Sequence, residues 1–109
     1  MSRPESARRA PLRIPNAELT HSTAEIFKVL SDPTRLKILL IVASNAGQEI
    51  CAHHLTGVLG VSAPTITHHM KKLMAASLVT RTKKGKWAYY ELAHNAHSAR
   101  LMPFIGDYF

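Results

Sequence analysis

Residues 62–73 read SAPTITHHMKKL, and how this stretch divides into two faces decides the fold. Ser62 is a favoured helix N-cap residue. Pro64 fits a first turn, where the missing N–H costs little. The spacing predicts a helix over 63–76. At 100° per residue, with Ile66 at zero, Met70 falls near about 40° and Leu73 near about 340°. These three form an apolar face. Thr67, Lys71, Pro64, His68 and Lys72 fall between about 100° and about 240°, on the opposite face. His69, near about 300°, leans toward the apolar side. The two histidines therefore differ: His68 points out among hydroxyls and ammonium groups, and His69 points in. Neighbours 100° apart are poorly placed to share one metal ion.

Working upstream, GVS at 60–62 separates this helix from a short one expected over 51–59, with Ile50, Leu55, Val58 and Leu59 apolar. Two short helices joined by about three residues with a glycine form a helix-turn-helix pattern. Before them, SNAG at 44–47 closes a helix whose apolar residues Leu36, Ile38, Leu39, Leu40, Ile41 and Ala43 leave little polar face. That helix is expected at the centre, capped by Asp32 with Pro33 in its first turn. Leu19, Thr23, Ile26, Phe27 and Leu30 recur at spacings of three and four and predict a first amphipathic helix. Residues 1–16, rich in Pro, Arg and Ala, predict a disordered basic arm, leaving 17–109 as the folded domain.

Working downstream, the period changes after Ala76. LVTRTKK and KWAYYEL flank a glycine and carry strand formers, which predicts a β-hairpin whose tip holds Lys83, Lys84, Gly85 and Lys86. Residues 95–109 open as a helix and then meet Pro103 and Gly106. Their apolar residues Leu101, Met102, Phe104, Ile105, Tyr108 and Phe109 are expected to pack on the domain or on a second subunit. The order is α-α-α-α-β-β-α, mainly α with one β-hairpin: a winged helix-turn-helix.

Charge placement indicates the partner. The 109 residues carry a net charge of +7 with histidines neutral. Residues 62–90 contain Lys71, Lys72, Arg81, Lys83, Lys84 and Lys86 and no carboxylate, whereas residues 17–61 are slightly acidic. Such segregation is the footprint of a polyanion-binding surface. Short hydroxyls and an imidazole can hydrogen-bond base edges in a major groove, while lysines pair with phosphates and set register. The expected double-stranded DNA contacts are Ser62, Pro64, Thr65, Thr67, His68, Lys71 and Lys72 on the helix, and Arg81, Lys83, Lys84 and Lys86 on the hairpin. No apolar run nears the roughly 18 residues of a membrane span. The N-terminus lacks an apolar signal segment, and the single cysteine fits a reducing compartment, so a cytoplasmic protein is expected.

Three stretches carry a family resemblance: LSDPTRLKIL at 30–39, SAPTITHHMKKL at 62–73 and GKWAYYEL at 85–92. Over about 25 to 92 the chain resembles the ArsR/SmtB family of bacterial winged-helix repressors. The resemblance implies a homodimer on an inverted-repeat operator, one recognition helix per half-site, with the first and last helices at the dimer interface. It also implies release from DNA by an effector, in many members a metal or metalloid ion.

Two effector sites recur in that family, and the chain matches each only in part. In EICAHHLT at 49–56, Cys51 and His53 stand at two of the family's three thiolate positions and Thr56 at the third. On a regular helix, residues two apart diverge, and His54 is better placed toward Cys51. The alternative for Cys51 is a small buried apolar residue. The second site, on the last helix, would draw on His94, His97 and Asp107, with Pro103 interrupting the helix between them; His21 is a further candidate partner. An effector-independent regulator and an architectural DNA-binding protein stand as the alternatives, although an architectural binder has little need of a base-reading face. Cys51 beside a histidine resembles a thiol nucleophile and its base, but no orienting third group accompanies them, and no enzyme is expected.

Overall fold

The computed structural model describes residues 10–109. It contains helices α1 (Ala17–Val29), α2 (Pro33–Ser44), α3 (Ala52–Leu59), α4 (Ala63–Ala75) and α5 (Ala96–Ile105), and strands β1 (Ile50–Cys51), β2 (Val79–Lys84) and β3 (Trp87–Leu92). A 3₁₀ turn, Gly106–Tyr108, follows α5. This is a winged helix-turn-helix. Of the expected basic arm, residues 1–9 lie outside the described residues, and residues 10–16 are exposed and neither helical nor stranded up to Asn16.

Helix starts follow the caps. The Asn16 side chain accepts from the Leu19 N–H at 2.8 Å, and Asp32 accepts from the Arg35 N–H at 2.9 Å with Pro33 directly behind it. Ser62 accepts from the Thr65 N–H at 3.3 Å, and Asn95 forms a reciprocal capping box with Ser98. Each satisfies amide groups that a helix start leaves without an internal partner. The end of α4 is held by a Schellman motif: the Ser77 N–H donates to the Met74 carbonyl at 2.9 Å and the Leu78 N–H to the Leu73 carbonyl at 3.0 Å. Ser77 takes φ +60° where glycine is usual. The Asn95 amide donates to its carbonyl at 2.7 Å and helps hold that conformation.

The core forms where α2, α4 and the root of the sheet meet. Ile38, Val42, Ile66, Met70, Leu73 and Leu78 are wholly buried, and Leu39, Leu55 and Tyr90 nearly so. The apolar face expected for 63–76 is therefore the buried face of α4. The stripe expected on the first helix divides instead. Ile26 and Leu30 enter the core, while Leu19 and Phe27 stay 43% and 52% exposed.

The structure corrects four expectations. The helix expected over 51–59 starts one residue later, because Cys51 belongs to a strand. Ile50 and Cys51 pair antiparallel with Tyr90 and Tyr89, giving a three-stranded sheet in the order β1-β3-β2. A two-residue strand has no alternation to detect and exists only through its distant partner. Second, within SNAG the glycine, Gly47, is the residue expected to stop the helix, but α2 ends at Ser44 with Asn45 as its cap. Gly47, at φ +88°, shapes the following turn. Third, α5 continues through Pro103. The carbonyl that a proline deprives of a donor is that of Ala99, an exposed residue, so water can supply the bond. Fourth, alternation along the strand predicts Leu78, Thr80 and Thr82 on one side, but Leu78 and Val79 are both buried while Thr80 and Thr82 are exposed, so β2 leaves the core at once.

Candidate nucleic-acid interface

Helix α3 and helix α4 are joined by Gly60, Val61 and Ser62. Gly60 takes φ +67°, a left-handed conformation that costs a glycine little and allows the tight reversal. The reversal projects α4 with Thr67, His68, Lys71 and Lys72 all exposed, and Pro64 exposed at its start. Ser62 and Thr65 are committed differently. Their hydroxyls lie 2.8 Å apart within the cap, and Thr65 is half-buried. The exposed face of α4 is thus centred on Thr67, His68 and Lys71, with Ser62 and Thr65 supporting the helix start.

The two histidines are divided as their angles require. His68 is exposed and His69 is 7% exposed, with ring centroids 5.6 Å apart. Arg35 donates from Nε to His69 Nδ1 at 3.3 Å. Burial pushes the His69 pKa below its ordinary value, with Arg35 and His68 adding to the shift and Asp32 opposing it.

The wing is the β2–β3 hairpin, closed by the two-residue turn Gly85–Lys86 with Lys84 opposite Trp87. Gly85 has φ +62° at the first central position, as a type II′ hairpin turn needs. Arg81, Lys83, Lys84 and Lys86 are all exposed, but they are not equivalent. Lys84 Nζ lies 2.6 Å from Glu49 Oε1 and 5.6 Å from the centre of the Tyr89 ring. The hydrogen bond and charge of Glu49 raise the Lys84 pKa above its ordinary value. Lys86 Nζ sits 5.7 Å from the centre of the Trp87 ring, whose other neighbour is His53 at 5.6 Å. Neither Glu49 nor Trp87 was expected at this surface. Lys84 and Glu49 are 35 residues apart in sequence, and only the β1–β3 pairing brings their segments together.

The effector candidates are scattered within the protomer. Cys51, His54 and Glu49 line one cavity, bounded also by Asn45 and Tyr89, while His53 turns away to Trp87. As the residue preceding α3, Cys51 escapes the divergence of residues two apart on a helix. His94 lines a groove with Asn95, Ser98 and Met102. His97 faces a different one, with His21 and Glu25, where its Nδ1 is buried without a partner. Asp107 lies in the 3₁₀ turn and joins neither groove. Among the described residues, no three His, Cys, Asp or Glu side chains are placed to hold a metal ion. No helix among them is long and apolar enough to cross a membrane.

Comparisons with known proteins agree with this geometry. The model of the family "bacterial regulatory protein, arsR family" matches residues 32–81, which run from the α2 cap into the wing. An uncharacterised HTH-type transcriptional regulator of Methanocaldococcus jannaschii is 40% identical over 73 residues, covering 67% of this chain and 80% of that protein. An arsenical resistance operon repressor of Staphylococcus xylosus is 45% identical over 69 residues, and this chain spans 64% of its length. Among solved structures, a homodimeric winged helix-turn-helix DNA-binding domain from Mycobacterium bovis superposes with a TM-score of 0.66 at 23% identity, covering 90% of each chain. The chain belongs to the arsR family of bacterial regulatory proteins and is a winged-helix DNA-binding regulator of transcription, not an enzyme.

Proposed function

We propose that the chain is a sequence-specific repressor that binds an inverted-repeat operator as a homodimer. In this reading α4 enters the major groove, Thr67 and His68 read base edges, and Lys71 and Lys72 take phosphates. The wing lies along the neighbouring backbone with Arg81, Lys83 and Lys86. The observation that carries it is the coincidence on one side of α4 of every exposed hydroxyl, imidazole and ammonium group with a segment free of carboxylates. The dimer is supported by exposed apolar residues on α1, on α5 and in the 3₁₀ turn after it, Phe27, Phe104 and Tyr108, which border an apolar cavity of about 220 Å³. The repressor name of the S. xylosus relative and the homodimer of the M. bovis domain point the same way. Control by an arsenical or metal effector would draw first on the Cys51–His54 cavity, which holds the chain's one thiol.

The test begins by selecting a preferred operator from randomised DNA with the purified protein. The Thr67→Val/His68→Ala pair is expected to lose about 1–3 kcal/mol of operator-over-random discrimination for each base contact removed. Binding to random DNA should change little. Fluorescence anisotropy on both DNAs measures this. A double variant that keeps the full discrimination removes α4 as the reading element.

A further inference from the structure

We infer that Arg35 and His69 are positioning residues for the recognition helix: the bond from Arg35 Nε to His69 Nδ1 fixes α4 against α1 and α2, and it holds only while the imidazole is neutral. The inference rests on the proposed role of α4 in reading DNA.

One guanidinium reaches three elements. Arg35 stands in the first turn of α2, where its N–H is fixed by Asp32 at 2.9 Å. Its Nη1 donates to the carbonyl of Val29, the last residue of α1, at 2.9 Å. Its Nε donates to His69 Nδ1 at 3.3 Å. The end of α1, the start of α2 and the buried side of α4 are thereby joined through one planar group whose donors cannot reorient independently. On α4, His69 directly follows His68, so a rotation of the helix that breaks the bond also turns the reading face.

The bond needs an acceptor at Nδ1, which places the imidazole proton on Nε2. An imidazolium has two donors and no acceptor, so protonation removes the bond and sets a cation against a guanidinium. The charged and titratable groups acting on His69 are Arg35 in the first turn of α2, Asp32 at its cap and His68 on α4. Asp32 is the one group among them that favours the cation, and burial of the imidazole outweighs it. The folded state thus holds His69 with a pKa below its ordinary value of 6.5. A group lowered in this way binds fewer protons folded than unfolded. Its contribution is fully present above pH 6.5 and is lost as pH falls from there through the lowered value.

The experiment measures the ratio of operator to random-DNA affinity at about pH 7.5 and at the lowest pH at which circular dichroism still reports the folded protein, so that the lowered pKa of His69 is approached from above. A ratio is used because any gain of positive charge at lower pH strengthens binding to operator and random DNA alike. The wild-type ratio is expected to fall about tenfold toward the lower pH, the size of one hydrogen bond to a charged group. His69→Asn keeps an acceptor near the Nδ1 position and does not titrate, so its ratio should match the wild type at the higher pH and stay flat. Arg35→Met, which keeps the apolar stem, should be low and flat at both, and it tests the bond from the other side should the Asn variant not fold. A wild-type ratio unchanged between the two pH values, or a His69→Asn variant that retains the full pH slope, overturns the inference. A protein with no operator preference at the higher pH overturns the underlying reading of α4 as well.

Discussion

Phe27→Glu combined with Phe104→Glu is expected to convert the proposed dimer into a folded monomer whose operator affinity drops on the order of 10²-fold or more. The two rings are 52% and 55% exposed, on α1 and α5, and both border the apolar cavity between these helices and α2. Neither belongs to the buried core, so the protomer loses little by the change, and surface substitutions of this kind usually alter stability by about 0.5 kcal/mol or less. A dimer must bury these rings, and a carboxylate buried there without a partner costs several kcal/mol. The drop in affinity is then a loss of linkage between half-sites, because each recognition helix keeps its own contacts. Sedimentation velocity reports the assembly and anisotropy on full and half operators reports the binding. A variant that remains dimeric at micromolar concentration, or a monomer that binds the full operator as before, would place the interface elsewhere.

The second large effect is expected at the wing. Neutralising Lys83 and Lys86 removes four cations from a dimer. With about 0.9 counterions released per phosphate contact, the slope of log affinity against log salt should shrink by about 3–4, and affinity should fall on the order of 10²–10³-fold for operator and random DNA alike. Lys84→Gln should do much less, because its ammonium group already lies 2.6 Å from Glu49. Glu49→Gln should act in the opposite sense, freeing that ammonium for phosphate and steepening the slope. Binding isotherms across a salt series separate these outcomes. Equal losses from Lys84→Gln and Lys86→Gln would show that the Glu49 pair does not persist on DNA.

These predictions mix features legible in the sequence with features that were not. The two faces of α4 could be read residue by residue, since a capped helix with a regular period fixes the angular position of each side chain. That reading separated His68 from His69. It could not supply Arg35 as the partner of His69, because that contact spans 34 residues and depends on how α2 crosses α4. The same limit applies to Glu49 and Lys84. Strand β1 was hidden for a related reason: Ile50 and Cys51 have no periodic signal of their own, and their pairing lies across the sheet in Tyr89 and Tyr90. Around α1 the period correctly placed Leu19, Ile26, Phe27 and Leu30 on one stripe, but it could not divide Ile26 and Leu30, which meet the core, from Leu19 and Phe27, which stay exposed.

Strand β1 has a consequence for how an operator is measured. It fastens the entrance of α3 to the returning strand of the wing, so the helix-turn-helix and the hairpin, the two proposed DNA contacts, form one stiff jaw. Within a proposed dimer, the principal remaining freedom is the separation between the two jaws, set where α1 and α5 meet their counterparts. Such a protein acts as a caliper. On the proposed reading, operators would then differ for it in the distance between their halves as well as in their letters.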